Sequence, residues 1–526
     1  MDFKSIIWLE TSLKASIDQK VIKDLNLEGV YQRLLQNDEI LYSLCEDMNT
    51  IVFRQDILDD FMTCDGLIQD VVDSLESFYE LKPLYYDKQY EKSNLYRIID
   101  ILIIMEKSIY ALDYIRQILK SYPIKSEGLL ALSDNLNDVW ESKEYKDMRK
   151  DLKEIKYIFS SIKSAILSVN MNTGLRPIFA QITSVDNHKY KYPKAFRKVS
   201  DVLKANPEFL GQHLSSYVPV FKVNRLNYDL LEEIEFALEE HKPMLQKFVE
   251  TYHKIDINPF IQLRDEIEFY KASVVLFNRV KTTGLHFSKP KVMDEDQCGY
   301  VLDAKGMYNI NLAMVYKDES ITEEIILNDI LINKDRNAVI ITGANRGGKT
   351  TFTQSIGHVQ LFAQLGLFVP AKEVKLKLVD QIITHFPVAE KDTYETGKFG
   401  KECELFVSGF KKATKDSLFL LNESFTGTSH LESLNIATQG CLALLHKEVS
   451  FVFNTHLHEL YNGLVANEDI NSNHIISLTT QMEDEESVYK LIENPPLGKS
   501  FARKIALKYG ITFEQLIGGG LDETRD

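Results

Sequence analysis

Apolar residues recur with helix spacing through the first third of the chain. Leu27, Val30, Tyr31, Leu34, Leu41 and Leu44 form one such stripe, and Ile98 to Ile104 is apolar enough for a buried helix. Glycine is sparse there, and Pro83 and Pro123 mark turns. Between Ser164 and Val185 the texture changes: AILSVN and PIFAQITSV are short β-like runs around a turn, MNTGLRP. Leu230 to Glu250 returns to helix. Leu230, Leu231, Ile234, Ala237, Leu238, Leu245, Phe248 and Val249 make its apolar side, with a kink expected at Pro243. After Lys289, AVIIT (338–342), SLFLL (417–421) and SFVFN (450–454) alternate with helical stretches, the order of a mostly parallel sheet covered by helices.

A chain of 526 residues is too long for one core. The pattern predicts a multidomain protein: a mostly α-helical N-terminal core and lever, followed by an α/β domain. The expected segments are a helical core over 1–160, a small mixed connector over 161–228, a helical lever over 229–288 and the α/β domain over 289–526.

Composition changes this picture little, and charge changes it locally. The net charge of −16 argues against a protein that coats nucleic acid over its whole surface. Yet residues 186–225 carry eight Lys and Arg against three acidic residues, with Tyr190, Tyr192 and Phe196 interleaved. Lys189, Lys191, Lys194, Arg197 and Lys198 are therefore candidate phosphate contacts, the alternative being a solvated loop and helix face. The five cysteines are scattered, with no C-x-x-C pair, and read as reduced thiols without a structural metal. The N-terminus does not read as a secretory signal, and no run is long enough for a membrane span, so a cytoplasmic protein is expected.

The chemistry concentrates in AVIITGANRGGKTTF (338–352). Gly343, four residues, then Gly348-Lys349-Thr350 is the phosphate-loop pattern, between an apolar strand and an amphipathic helix. The loop residues Gly343, Ala344, Asn345, Arg346, Gly347, Gly348, Lys349, Thr350 and Thr351 are the predicted nucleotide contacts. Glycines let backbone N–H groups converge on phosphate oxygens, Lys349 supplies a point charge, the Thr350 hydroxyl can ligate Mg²⁺, and the helix start favours an anion. The expected cofactors are thus ATP and Mg²⁺. Farther on, SLFLLNESFTGTS (417–429) ends an apolar strand in two polar residues. Asn422 stands where an aspartate normally holds Mg²⁺ through water, and Glu423 would orient or deprotonate the attacking water. A strand-end glutamate could instead be a structural acceptor. His456, after the strand SFVFN, is placed to contact a γ-phosphate. His456 and His458 also form an H-x-H pair, but no third ligand for a metal is apparent.

These segments resemble the MutS family of mismatch-repair ATPases. TGANRGGKTTF, FAQLGLFVPA (362–371), SLFLLNESFTGTS, NTHLHEL and GKSFARKIALKYGI (498–511) carry the resemblance, with Asn328-Asp329-Ile330 before the loop. MNTIVFRQDILDDF (48–61) and VNMNTGLRPIFAQITSV (169–185) extend it more weakly upstream. The resemblance implies an ABC-type ATPase over 289–526 and a reduced clamp over 161–228. It also implies a homodimer gripping duplex or branched DNA, nucleoid-associated if bacterial. The family's segment that meets the partner subunit's ATP would be YETGKFGKECE (394–404), with Gly397 about where the family has serine and Phe399 and Glu402 kept.

Departures shape the expectation. Phe78-Tyr79-Glu80 has the form of the family's mispair wedge but follows the helical-core stretch, so it reads as helix core and surface. Asn422 removes one negative charge, so hydrolysis is expected to be slow. Two alternatives remain: an ATP-binding switch or scaffold with little hydrolysis, and an RNA- or ribosome-associated ATPase of the same family.

Overall fold

A computed structural model describes residues 3–9, 12, 14–34, 38–76, 78, 81, 94–174, 177–189, 238–253, 255–293, 300–316, 324–344, 346–387, 397–468, 470–483, 486–496, 510–511 and 513–517. Two compact units emerge. One comprises Met1–Lys4, Gly66–Ile124 and Leu129–Arg264, the other Ser5–Asp65, Lys125–Gly128 and Asp265–Asp526. This division departs from the four expected segments, because residues 5–65 group with the C-terminal half.

The reason lies in the helix after the phosphate loop, Lys349–Gln364. Its apolar stripe predicts one wet face, yet its polar residues are buried too, among them Gln354's neighbours Ser355, His358, Gln360 and Gln364. Carbonyls of the N-terminal residues accept from this face. Gln354 donates to Asp24 O at 3.0 Å, His358 meets Leu25 O at 2.8 Å, and Gln364 donates to Cys45 O at 3.1 Å. Burial pushes the His358 pKa down to about 4, so the ring is neutral and donates from Nε2. Arg54, fully buried, closes the far end: its guanidinium donates to Ile7 O at 2.7 Å and Leu365 O at 3.0 Å and lies 4.0 Å over the Trp8 ring. Hydrogen bonds to a charged group each contribute roughly 1.5–3 kcal/mol, so this end is well anchored.

The same N-terminal stretch is less helical than its spacing predicts. Helices Gln19–Asp24 and Glu28–Leu34 form, but Leu44 lies in a strand: β1 (Lys14–Ser16) pairs antiparallel with β2 (Ser43–Cys45). Helix Met48–Thr63 follows, its N-terminal amides capped by Asp47.

The other unit is helical, with Leu67–Leu75, Asn94–Ser121, most of Glu127–Glu141, Lys143–Ser160 and Lys242–Tyr252. Ile98, Ile101, Leu102 and Ile104 are buried in the second of these, as predicted. Phe78 is fully buried and stacks on Phe260 with ring centroids 4.5 Å apart, so it is core and not free to wedge into DNA. Tyr79 and Glu80 lie outside the described residues. The expected strands are a hairpin, β3 (Ser164–Met171) antiparallel to β4 (Pro177–Asp186). Pro243 does not kink a helix. It sits in the first turn of Lys242–Tyr252, where its missing N–H has no intrahelical partner to lose, and a 3₁₀ turn over Glu239–His241 precedes it.

Among the described residues, the C-terminal half holds two sheets. In the smaller, β5 (Lys291–Val292), β6 (Tyr300–Met307), β7 (Asn328–Asn333) and β9 (Glu373–Leu376) run in the order β5-β9-β6-β7. The larger contains β8 (Ala338–Thr342), β10 (Ile382–His385), β11 (Leu418–Asn422), β12 (Ser450–Asn454), β13 (Ile475–Glu483) and β14 (Glu486–Glu493). Its order is β10-β11-β12-β8-β13-β14, parallel except for the β13–β14 edge pair. Every residue of β8, β11 and β12 is buried, which explains why they read as continuous apolar runs. No helix among the described residues is long and apolar enough to cross a membrane.

Candidate nucleotide site

The carboxyl ends of β8, β11 and β12 lie side by side, and in an open parallel sheet ligands bind at that edge. Register places Asn422 opposite Asn454, and Asn454 opposite Ile341, just before the loop. The phosphate loop, Glu423 and His456 are therefore brought together by sheet topology.

Within the loop, Gly343, Arg346 and Gly348 have φ of 135°, 63° and 81°. Gly343 is doubly required. Its φ suits only glycine, and a Cβ there would sit 2.3 Å from Thr480 Oγ1. Gly348 immediately precedes the helix start at Lys349, without a side-chain cap, so the first-turn N–H groups are available to an anion. Lys349 is 5% exposed and donates to Gly343 O at 3.1 Å and Ala344 O at 2.9 Å. Burial lowers its pKa, and the nearby Glu423 carboxylate opposes that shift. Asn345 lies outside the described residues, and Thr351 contributes its carbonyl, which accepts from Asn309 Nδ2 at 3.1 Å.

Thr350, Asn422 and Asn454 form a closed triangle. Asn422 Oδ1 accepts from Thr350 Oγ1 at 2.9 Å and from Asn454 Nδ2 at 2.5 Å, and Asn454 Nδ2 is 3.2 Å from Thr350 Oγ1. Asn454 Oδ1 is buried without a partner among the described residues. The donor set is hard oxygen, the kind Mg²⁺ prefers, with no carboxylate in it.

Glu423 has a left-handed backbone, φ 47°, unusual for a residue with a side chain, and its N–H donates to Asn454 O at 2.8 Å. His456 Nε2 donates to Glu423 Oε1 at 2.9 Å. That hydrogen bond is the first cause holding the Glu423 pKa below its ordinary value. The His456 and Lys349 charges add to it, and partial burial opposes it. Among the described residues, no group of three or more His, Cys, Asp or Glu is placed to hold an ion.

A cavity of about 570 Å³ opens over the loop. Beside Arg346–Phe352, Glu423 and His456, it is lined by Asn328 and by residues the sequence reading missed: Met307, Tyr308, Asn309, Leu312 and Tyr489. Asn309 caps the short helix Ile310–Val315, accepting from the N–H groups of Asn311 and Leu312, while its Nδ2 donates to Thr351 O. Asn328 ties β7 to β14, donating to Tyr489 O at 3.1 Å and accepting Leu491 N–H at 2.8 Å. Tyr489 comes within 3.5 Å of where a Cβ on Gly348 would stand.

Of the segment expected to meet a partner subunit, Gly397 is exposed and Phe399 half-buried. Glu402 is 1% exposed and turned into its own chain, so it does not face outward. Among the basic candidates, Lys189 is exposed just after β4, and Lys191, Lys194, Arg197 and Lys198 lie outside the described residues.

Two family models match this chain. MutS domain V covers residues 339–515, and the MutS2 N-terminal domain covers residues 46–283. The chain belongs to the MutS family. Among MutS-family relatives, the DNA mismatch repair protein MutS of Bacillus velezensis is 26% identical over 61% of this chain and 34% of its own length. The proteins of that name from Finegoldia magna and Clostridium tetani are 23% and 24% identical, over 88% and 87% of this chain and 55% and 51% of their own lengths. The chain thus spans between a third and about half the length of these curated relatives.

Proposed function

We propose that this MutS-family chain is an ATP-hydrolysing, DNA-binding protein that works as a nucleotide-gated dimer. The observation that carries this reading is the meeting, at one sheet edge, of the Gly343–Thr350 loop, the Thr350–Asn422–Asn454 triangle and the His456–Glu423 pair.

The residues fit Mg-ATP. Loop amides and Lys349 would hold the phosphates, the cavity beside Tyr308, Asn309 and Tyr489 has room for the rest of the nucleotide, and Thr350 Oγ1 with Asn422 Oδ1 would hold the metal. Bound Mg²⁺ supplies Lewis-acid stabilisation of phosphate charge. Glu423, ionised at neutral pH, accepts a proton from the attacking water, and His456 fixes the carboxylate's direction from the other side. Gly397 and Phe399 would approach the partner's nucleotide. ATP closes the dimer to the extent that it binds the closed state better than the open one.

DNA is taken as the substrate, rather than RNA or the ribosome, because the relatives described above carry DNA-repair names. Duplex or branched DNA is preferred over a mispair, because Phe78 is locked in the core. Fluorescence anisotropy with labelled duplexes and four-way junctions should show affinity that changes between ATP and ADP. A G·T duplex should bind no better than its matched control. Nucleotide-independent binding, or a strong preference for the mispair, would overturn this reading.

The neutral triangle favours a second reading, a nucleotide switch with little turnover. Asn422→Asp restores the missing charge beside the metal position, and changes to such supporting groups typically alter activity by about 10–100-fold. Steady-state phosphate release should therefore rise by at least about tenfold in Asn422→Asp. Equal rates would mean that Asn422 does not limit hydrolysis.

A further inference from the structure

A buried residue of the helix Gly397–Lys412 bonds directly to the loop after Glu423. Glu402 lies in the helix's second turn, and its Oε2 accepts the N–H of Gly427 at 3.3 Å. Burial raises its pKa, and the Gly427 amide, Lys398 and the amides of Thr426 and Phe425 oppose that rise. Oε1 is buried with no hydrogen-bond partner among the described residues, so the carboxylate faces its own loop and no solvent.

A second tie runs through the backbone of Glu402. Its carbonyl lies 2.8 Å from His385 Nε2, so that nitrogen carries the proton. Burial holds the His385 pKa down to about 4, so the ring is neutral and Nδ1 must accept. Its partner at 2.6 Å is Ser424 Oγ, on the residue that follows Glu423. A third tie is steric: a Cβ on Gly427 would stand 2.9 Å from Phe399 N and 3.1 Å from its Cα, so loop and helix touch backbone to backbone.

These ties restrain a loop that has reason to relax. Glu423 and Phe425 both hold left-handed backbones, φ 47° and 65°, which residues with side chains adopt only when their surroundings enforce it. Phe425 is held by packing against His385 and Phe406, while Glu423 is half-exposed at the cavity.

We propose that Glu402 is a positioning residue for hydrolysis: by locking Ser424–Gly427 to the helix Gly397–Lys412, it fixes the direction of the Glu423 carboxylate within the same chain. The proposal rests on the reading of Glu423 as the residue that activates water. It reassigns Glu402 from a contact with a partner's nucleotide to a tie between two parts of one active site.

The test uses the full chain with Glu402→Ala, Glu402→Gln, Gly427→Ala and Glu423→Ala, measuring kcat, KM and Mg-ATP affinity by calorimetry. A small misplacement of a reacting group costs up to about 100-fold in rate, so Glu402→Ala and Gly427→Ala should lower kcat by about 10–100-fold. Mg-ATP affinity should stay at the wild-type value. Glu402→Gln keeps an acceptor for Gly427 N–H in the same shape and should recover most of the turnover. In a Glu423→Ala background, Glu402→Ala should cause no further loss, because a positioning residue has no effect without the group it positions. A merely structural role predicts additive losses there, and additive losses would overturn the proposal. So would wild-type kcat in both Glu402→Ala and Gly427→Ala, or loss of turnover in Glu402→Gln equal to that in Glu402→Ala. If Glu423→Ala itself keeps full turnover, the underlying reading of the site fails instead.

Discussion

Glu423→Ala is expected to lower ATP turnover by about 10²–10⁴-fold while Mg-ATP still binds, the loss associated with removing a positioned general base. Its carboxylate is half-exposed at the cavity, bonded to His456 at 2.9 Å and held on a left-handed backbone. None of these features is needed to grip phosphates, which would face Lys349 and the loop amides. Rate and affinity should therefore separate. The hydrogen bond from His456, the leading cause of the lowered Glu423 pKa, keeps the base ionised as pH falls, until below the usual glutamate range. The acid limb of wild-type turnover that comes from Glu423 should accordingly have its midpoint below the ordinary glutamate value of about 4.3. Equal losses of affinity and rate in phosphate-release and calorimetric assays would show that Glu423 supports the fold of the site instead of the reaction.

Lys349→Ala should act in the opposite sense, on binding first. The ammonium is nearly buried and bonded to the carbonyls of Gly343 and Ala344, so it is positioned before any nucleotide arrives. A charged hydrogen bond contributes roughly 1.5–3 kcal/mol, so affinity for Mg-ATP should drop by about 10–100-fold. Turnover should follow, since the lost contact is also made in the transition state. Thermal unfolding without nucleotide reads separately what the lost bonds to Gly343 and Ala344 cost the fold, and a variant still folded at the assay temperature separates lost binding from lost folding. A variant that bound Mg-ATP as tightly as the wild type would place the phosphates elsewhere.

What could be read beforehand follows from how each feature is written in the chain. The Gly343–Thr350 segment is contiguous, and its glycines are dictated by local backbone, so a turn between a buried strand and a helix could be read there from sequence. The buried strands β8, β11 and β12 stand out for the same reason, being short apolar runs closed by polar residues. Features built from distant segments were not legible. Asn454 joins Thr350 and Asn422 only through strand register, and Tyr489 reaches the loop only because Asn328 pins β14 to β7. His358 and Gln364 look like the wet side of a helix until Leu25 and Cys45 present carbonyls to them. Glu402 belongs with these. The resemblance implied a segment that meets a partner, and the bond from Gly427 N–H to Glu402 joins residues far apart in the chain that no spacing connects. Pro243 was misread as a kink because spacing alone cannot tell a helix interior from a first turn.

Isothermal titration of Mg-ATP into the full chain tests the central claim most directly. The arrangement of Gly343–Thr350 opposite Glu423 predicts saturable heat with one nucleotide per chain, retained in Glu423→Ala and weakened in Lys349→Ala. Absence of saturable heat in the wild type, or identical isotherms for wild type and Lys349→Ala, would contradict it.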